Sequence, residues 1–490
     1  MTEPCDLPAR TARALIGRRQ LSPRELLESC LARIEAVNPA VNAFVALDVE
    51  GARAAAQAAE AAVMRGEALG ALHGLPIGVK DLEETAGLRT TFGSPIFANH
   101  VPKQDYLTVA RLRAAGAIIL GKTNTPEFGL GANTRNRVYG ATGNPFNPAL
   151  SAAGSSGGSA AALACHMVPL CTGSDMGGSL RNPASFCGII GMRPGAGIIA
   201  APHRAHGWSH LSSYGPMGRE VADVALMLSV MAGEDGRDPI SRPLSAPVEP
   251  LPPIDLASLR LAFTEDFGQA PSEAAIRAAL RARAAALAPM FARAVAAHPD
   301  CTGGDAAFQV LRAVGVISAH DAKVRERPAD CGPNVIANVE EARGYTLGDV
   351  AAAQAAQQRL YLSFQQFFAE HDVLIAPTVG ISPRPWRELF PAEVDGRPMQ
   401  SYIHWLAMVY YVTLSGHPAL SLPMGLDANG MPFGLQIIGP RGGDALVLRV
   451  AAAIEAAFVG DAEFGRPLPD LGALRQSAPL REAEGFLGFA

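Results

Sequence analysis

The spacing of apolar residues switches several times along the chain, and each switch predicts a change between helix and short strand. Ser22-Pro23-Arg24-Glu25 is a capping box with proline at the first helical position, and Leu26, Leu27, Leu31 and Ile34 follow on one face. That helix is expected to stop near Asn38-Pro39. Residues 43–47 read as a strand, 49–65 as an alanine-rich helix, and 74–81 as a buried strand with Lys80 and Asp81 at its end. Helices follow at 107–115 and 159–166, with strands at 117–120 and 169–172. A proline-rich connection at 241–253 leads to a strand at 259–263 and alanine-rich helices over 272–297 and 347–370. Strands at 373–376 and 435–438 complete the pattern. Such alternation predicts an α/β architecture with a mixed sheet.

The stretch 151–193 breaks this rhythm. Two Gly/Ser clusters, Gly154-Ser155-Ser156-Gly157-Gly158-Ser159 and Gly177-Gly178-Ser179, flank an apolar run. Flexible linkers lack such a run, so the clusters predict backbone folded tightly around a site.

Composition narrows the class. The chain has 490 residues, 49% hydrophobic and 18% charged, with a net charge of −5. This is a globular, core-rich composition, and its acidity argues against a nucleic-acid partner. Seven cysteines without a Cys-x-x-Cys spacing read as free thiols in a reducing compartment. The N-terminal residues lack the apolar run of a signal peptide, and the greasiest stretch, 405–422, is interrupted by Ser415-Gly416-His417-Pro418. A cytoplasmic protein without a membrane partner is expected. Only Lys80, Lys103, Lys122 and Lys323 are lysines, leaving 37 of the 41 basic residues as arginine. A lysine kept in such a chain can mark a place where the proton must come off, which arginine does not allow. Lys80 and Lys122 are therefore candidates.

Two motifs match by letter and fail by context. Residues 116–123 fit the phosphate-loop pattern, but Ala-Ile-Ile-Leu puts a strand inside the loop and Asn124-Thr125-Pro126 opens no helix. Residues 154–158 fit the nucleophile elbow with Ser156 at its centre, an esterase alternative that would need His417. The elbow's preceding strand is poorly supported by the sequence before it. A third combination is more coherent. A serine hydroxyl needs a base, and lysine serves only if its pKa falls from about 10.4 toward 7–8, a shift worth roughly 3–5 kcal/mol. The apolar Ile77-Gly78-Val79 segment before Lys80 permits that burial. Ser155 can accept the proton from Ser179 and later return it to the leaving amine, and the N–H groups of Met176, Gly177 and Gly178 can form an oxyanion hole.

At these residues the chain closely resembles the amidase signature family. The resemblance rests on Gly-Val-Lys-Asp at 78–81, Gly-Lys-Thr-Asn at 121–124, Gly-Ser-Ser-Gly-Gly-Ser at 154–159 and Ser-Asp-Met-Gly-Gly-Ser-Leu-Arg at 174–181, and weaker similarity covers most of the chain. It implies one domain over residues 1–490, with an N-terminal helical segment to about residue 70 and a large mixed sheet surrounded by helices. It further implies a triad of Lys80 as base, Ser155 as cis-peptide relay and Ser179 as nucleophile, with Ser156, Asp175 and Arg181 in support. No metal or other cofactor is expected. Ala153, Met176 and 192–195 depart from the family's usual residues, which bears on substrate rather than on chemistry.

Aromatic residues in two long loops, Trp208 and Tyr214 near His203, His206 and His210, and Trp386 and Phe390 within 381–400, predict an apolar or aryl pocket together with Trp405 and Tyr410. The expected substrates are apolar or aryl amides such as anilides, alongside aryl esters, carbamates and simple amides, and the expected state is a monomer or homodimer. The rival within the family is the A subunit of a glutamyl-tRNA amidotransferase, against which stand Asn182, where those subunits tend to carry glutamine, and the acidic charge. A non-catalytic binding protein would require a broken triad, and no member is missing.

Overall fold

Eleven apolar runs of four to eight residues pair into one mixed sheet. In the computed structural model, which describes residues 3–487, these strands are β1 (Phe44–Leu47), β2 (Pro76–Lys80), β3 (Ile118–Thr123), β4 (Leu170–Asp175), β5 (Ile190–Arg193), β6 (Ser213–Gly218), β7 (Arg260–Phe263), β8 (Arg293–Ala296), β9 (Val373–Pro377), β10 (Ala419–Leu426) and β11 (Pro432–Ile438). Their order across the sheet is β1-β3-β2-β4-β6-β5-β10-β11-β9-β7-β8. β3, β2 and β4 run parallel, as do β9, β7 and β8, and the intervening pairs are antiparallel. The strands on both sides of the proline-rich connection thus join a single sheet.

Strand periodicity separates two cores. In β9, Val373 and Ile375 face one cluster with the Pro23–Val41, Val221–Met231 and Asp444–Ala457 helices, while Leu374 and Ala376 face another with Gly304–Glu326, Leu347–Glu370 and Ala407–Ser415. Because helices cover both faces, β2, β3, β9 and β11 are buried at every position, with Lys80, Lys122, Thr123 and Gln436 buried among apolar residues. Among the described residues, no helix is long and apolar enough to cross a membrane. All seven cysteines are buried and unpaired.

Two expectations are corrected. The first long helix runs through Pro39 to Val41 and stops at Asn42, whose left-handed backbone (φ 50°) ends it. Pro39 is tolerated because it falls in the last turn on an exposed face, where one lost hydrogen bond matters little. The predicted helix over 272–297 ends at Leu287, since Pro289 breaks it, and Arg293–Ala296 instead pairs with β7 as the edge strand β8.

The parallel pairing brings the carboxyl ends of β2 and β4 to the same edge of the sheet, and with them Lys80 and Asp175. The Gly157–Ala164 helix drops onto the end of β3 beside them, which is possible because Gly158 has no side chain. A Cβ there would lie 2.2 Å from the Asn124 nitrogen. Gly158→Ala should therefore destabilise the protein by about 1–3 kcal/mol. Equilibrium urea denaturation measures this, and unchanged stability would show that the helix has room to retreat.

Candidate active site

Lys80, the last residue of β2, is fully buried. Its N–H donates to Thr172 Oγ1 (2.9 Å), which fixes the backbone, and its Nζ donates to Ser155 Oγ (2.5 Å), Ser156 Oγ (2.9 Å) and Ser174 Oγ (3.0 Å). Burial disfavours the ammonium and lowers the Lys80 pKa to about 7, against the longer-range attraction of Glu83 and Asp175. The amine is thus surrounded by hydroxyls that tolerate either protonation state. Ser155 follows a cis Gly154–Ser155 peptide bond.

Lys122, the other lysine singled out, is also buried but points elsewhere. Its Nζ donates to the Glu83 carbonyl and to Thr85 Oγ1 (3.0 Å), away from the serines.

The second Gly/Ser cluster is held by Asp175 at the end of β4. Its carboxylate accepts from Gly178 N (2.9 Å), Leu180 N (3.2 Å), Arg181 Nε (3.0 Å) and Arg181 Nη2 (3.0 Å), and Arg193 Nη1 binds its carbonyl. Burial opposes its charge, but Arg181, Arg193 and these donors outweigh burial and hold it well below the usual carboxylate range. Arg181 continues to the Val409 carbonyl (3.0 Å), Gln436 Oε1 (2.7 Å) and Thr413 Oγ1 (3.1 Å), and so ties the loop to β11 and the Ala407–Ser415 helix.

Ser179 sits in the turn before the Arg181–Cys187 helix, partly buried. Its Oγ hydrogen-bonds neither to Ser155 nor to any other described residue. The chain thus brings Lys80, Ser155 and Ser156 into contact and leaves the Ser179 hydroxyl free. One oxyanion assignment is corrected: the Gly178 N–H is spent on Asp175, whereas those of Met176 and Gly177 have no partner among the described residues. Gly178 has φ +99°, and a Cβ there would meet Val409 Cγ2 at 2.4 Å, so glycine is required. The elbow alternative also fails. Ser156 Oγ is engaged by Lys80 and lies 3.4 Å from the Ser174 backbone, while His417 is bound to Gln365 (3.0 Å) and the Ser415 carbonyl (3.1 Å).

A cleft of about 230 Å³ opens beside Met176, walled by Tyr106, Phe128, Leu130, His203 and Tyr214. Tyr106 and Tyr214 pack ring to ring at 4.9 Å. Tyr214 lines the cleft as expected, but the two tryptophans do not. Trp208 is 75% exposed and borders a different cleft. Trp386 is 1% exposed, donates to the Pro148 carbonyl (3.1 Å), and has the guanidiniums of Arg135 and Arg387 over its ring at 5.5 and 4.4 Å. Trp405 and Tyr410 belong to the helical core. The sequence reading missed Ser174, Tyr106 and Phe128. Ser174 was detectable, since it lies two residues from Thr172 on the same face of a strand and both reach Lys80. The two aromatics come from separate loops and carry no local signal.

The amidase family pattern matches residues 25–448. An acylamidase of Rhodococcus erythropolis is 36% identical over 455 residues, covering 92% of this chain and 95% of that protein. The A subunit of the glutamyl-tRNA(Gln) amidotransferase of Acidothermus cellulolyticus is 35% identical over 488 residues, covering 92% and 95%. Among solved structures, a bacterial aryl acylamidase of the amidase signature family superposes with a TM-score of 0.86 at 28% identity, covering 92% of this chain and 96% of that one. The 6-aminohexanoate cyclic dimer hydrolase gives 0.84 at 30% identity, covering 96% and 100%. The chain belongs to the amidase signature family, and is a hydrolase of carbon–nitrogen bonds.

The lowered Lys80 pKa has a stability consequence. Between about pH 7 and the ordinary lysine value of about 10.4, the unfolded chain carries a proton that the folded site lacks, so stability contributed by this group rises with pH over that window. The unfolding free energy of wild type relative to Lys80→Met should therefore increase from pH 7 to pH 10. Paired denaturant titrations across that range test it, and a flat difference would mean that Lys80 is charged in the fold.

Proposed function

We propose that the protein hydrolyses aryl amides through an acyl-enzyme on Ser179. The observation that carries this reading is the buried Lys80 amine, its pKa lowered by burial to about 7, within hydrogen-bond reach of Ser155. Ser179 Oγ adds to the substrate carbonyl as its proton passes to Ser155 and the Ser155 proton passes to Nζ. The carbonyl oxygen, now negative, is received by the N–H groups of Met176 and Gly177. Collapse of the tetrahedral intermediate breaks the C–N bond, and the leaving amine takes a proton from Lys80 through Ser155. Water then repeats the sequence on the acyl-enzyme, which returns Ser179 and releases the acid. Asp175 and Arg181 support the loop, and Ser156 and Ser174 hold the amine in place.

The aryl preference rests on the Tyr106, Phe128 and Tyr214 walls of the cleft, on its apolar Leu130 and Met176, and on the similarity to an aryl acylamidase. Aryl esters and carbamates present the same carbonyl geometry and are secondary substrates on this reading. The amidotransferase relatives supply the control substrate, glutamine.

Two measurements follow. Ser179→Ala should abolish the burst of arylamine from an anilide and lower kcat by at least about 10³-fold, a reference set by other serine hydrolases. Wild-type turnover in this variant would reject the nucleophile. The wild-type kcat/KM for the anilide should rise with pH through about 7 and exceed that for a small aliphatic amide or glutamine. Faster turnover of the aliphatic amide would reject the aryl pocket, and faster turnover of glutamine would favour the amidotransferase reading.

A further inference from the structure

The cleft that Trp208 borders is a separate feature, about 330 Å³ in volume, within the range of small-molecule sites. Its walls carry two guanidiniums, Arg242 and Arg441, and the amide of Gln357, and no acidic residue lines it. Arg242 donates only Nε, to the Ala196 carbonyl (2.8 Å), and its Nη2 is shielded from water without a partner among the described residues. Asp444 attracts Arg242 but forms no ion pair with it; its Oδ1 accepts from Gly195 N (2.7 Å), and its Oδ2 is likewise shielded from water without a partner among the described residues. Arg441 is exposed, donates to the Tyr361 hydroxyl (3.0 Å) and lies over that ring at 5.7 Å. Arg242 Nη1 makes no hydrogen bond among the described residues and is not sealed from water, so it and the exposed Arg441 guanidinium are the donors left for an anion entering the cleft. A tryptophan indole three-quarters exposed at the same cleft offers a flat face for a ring.

From this arrangement we infer a second binding site, for a planar aromatic carboxylate, with the carboxylate between Arg242 and Arg441 and the ring against Trp208. Phosphate or sulfate would satisfy the arginines but leave the indole without a partner. The site is wired to the nucleophile loop. His210 borders the cleft, its carbonyl accepts from Arg193 Nη2 (3.1 Å), and Arg193 Nη1 binds Asp175. The inference does not require that the first cleft bind aryl amides.

Benzoate is the probe, titrated into the full-length protein by calorimetry with Trp208 fluorescence in parallel. Of the three tryptophans, Trp208 alone is exposed, because Trp386 and Trp405 are buried. We expect saturable binding at this site with quenching of the exposed indole. Arg441→Gln should weaken it about tenfold or more, the loss expected for one charge-assisted contact. Trp208→Leu, followed by calorimetry, should weaken it about threefold, and cyclohexanecarboxylate should bind wild type less tightly than benzoate. Both variants change exposed side chains and leave the Lys80–Ser155 contact untouched. Absence of saturable benzoate binding, affinity unchanged by Arg441→Gln, or tighter binding of inorganic phosphate than of benzoate would overturn the assignment.

Discussion

A lysine amine sealed from water, with hydroxyls instead of a carboxylate as its neighbours, is the constraint on which the rest of the arrangement depends. Such a group is stable only if both protonation states find hydrogen-bond partners, since a buried ammonium without compensation is costly. Ser155, Ser156 and Ser174 supply those partners from two segments, and the parallel pairing of β2 with β4 brings Ser174 beside Lys80. The cluster thus requires the sheet register. A slip of one residue between β2 and β4 would turn either Lys80 or the Thr172–Ser174 pair to the opposite face.

Charge is handled differently a few residues away. Asp175, Arg181 and Arg193 are fully buried ion-pair partners, a combination that is tolerated because nearly all their donors and acceptors are engaged, Arg193 Nε being the exception. Their role is geometric. The carboxylate ties the backbone at Gly178 and Leu180, while Arg181 reaches the Ala407–Ser415 helix and β11 on the far side of the loop. The turn carrying Ser179 is therefore fixed from both sides, while its hydroxyl is left without a partner.

How much of this was legible in the sequence follows the range of each interaction. The helices 49–65 and 347–370 were readable because caps and periodicity are local. The alanine-rich stretch around residue 295 was misread because alanine suits helix and strand alike, and the partner strand β7, more than thirty residues earlier, decides between them. At the site, Lys80, Ser155 and Asp175 stood out through residue choice in a chain poor in lysine and through the glycines around them. The oxyanion donors could not be assigned, because the Asp175 contact that engages Gly178 depends on a tight turn rather than on composition. Trp208 and Trp386 were misassigned for a related reason: an aromatic residue in a long loop can face solvent, core or cleft, and nothing in its neighbours distinguishes them.

The buried cysteines carry one further consequence. Burial pushes the thiols of Cys5, Cys30, Cys165, Cys171, Cys187, Cys301 and Cys331 upward, for Cys165 to about 12. Nucleophilic sulfur is the thiolate, so the native protein presents almost none of it to alkylating reagents. Slow incorporation of such a reagent then becomes a clock for the opening of the fold, with reporters spread over both sides of the sheet and no engineered label required.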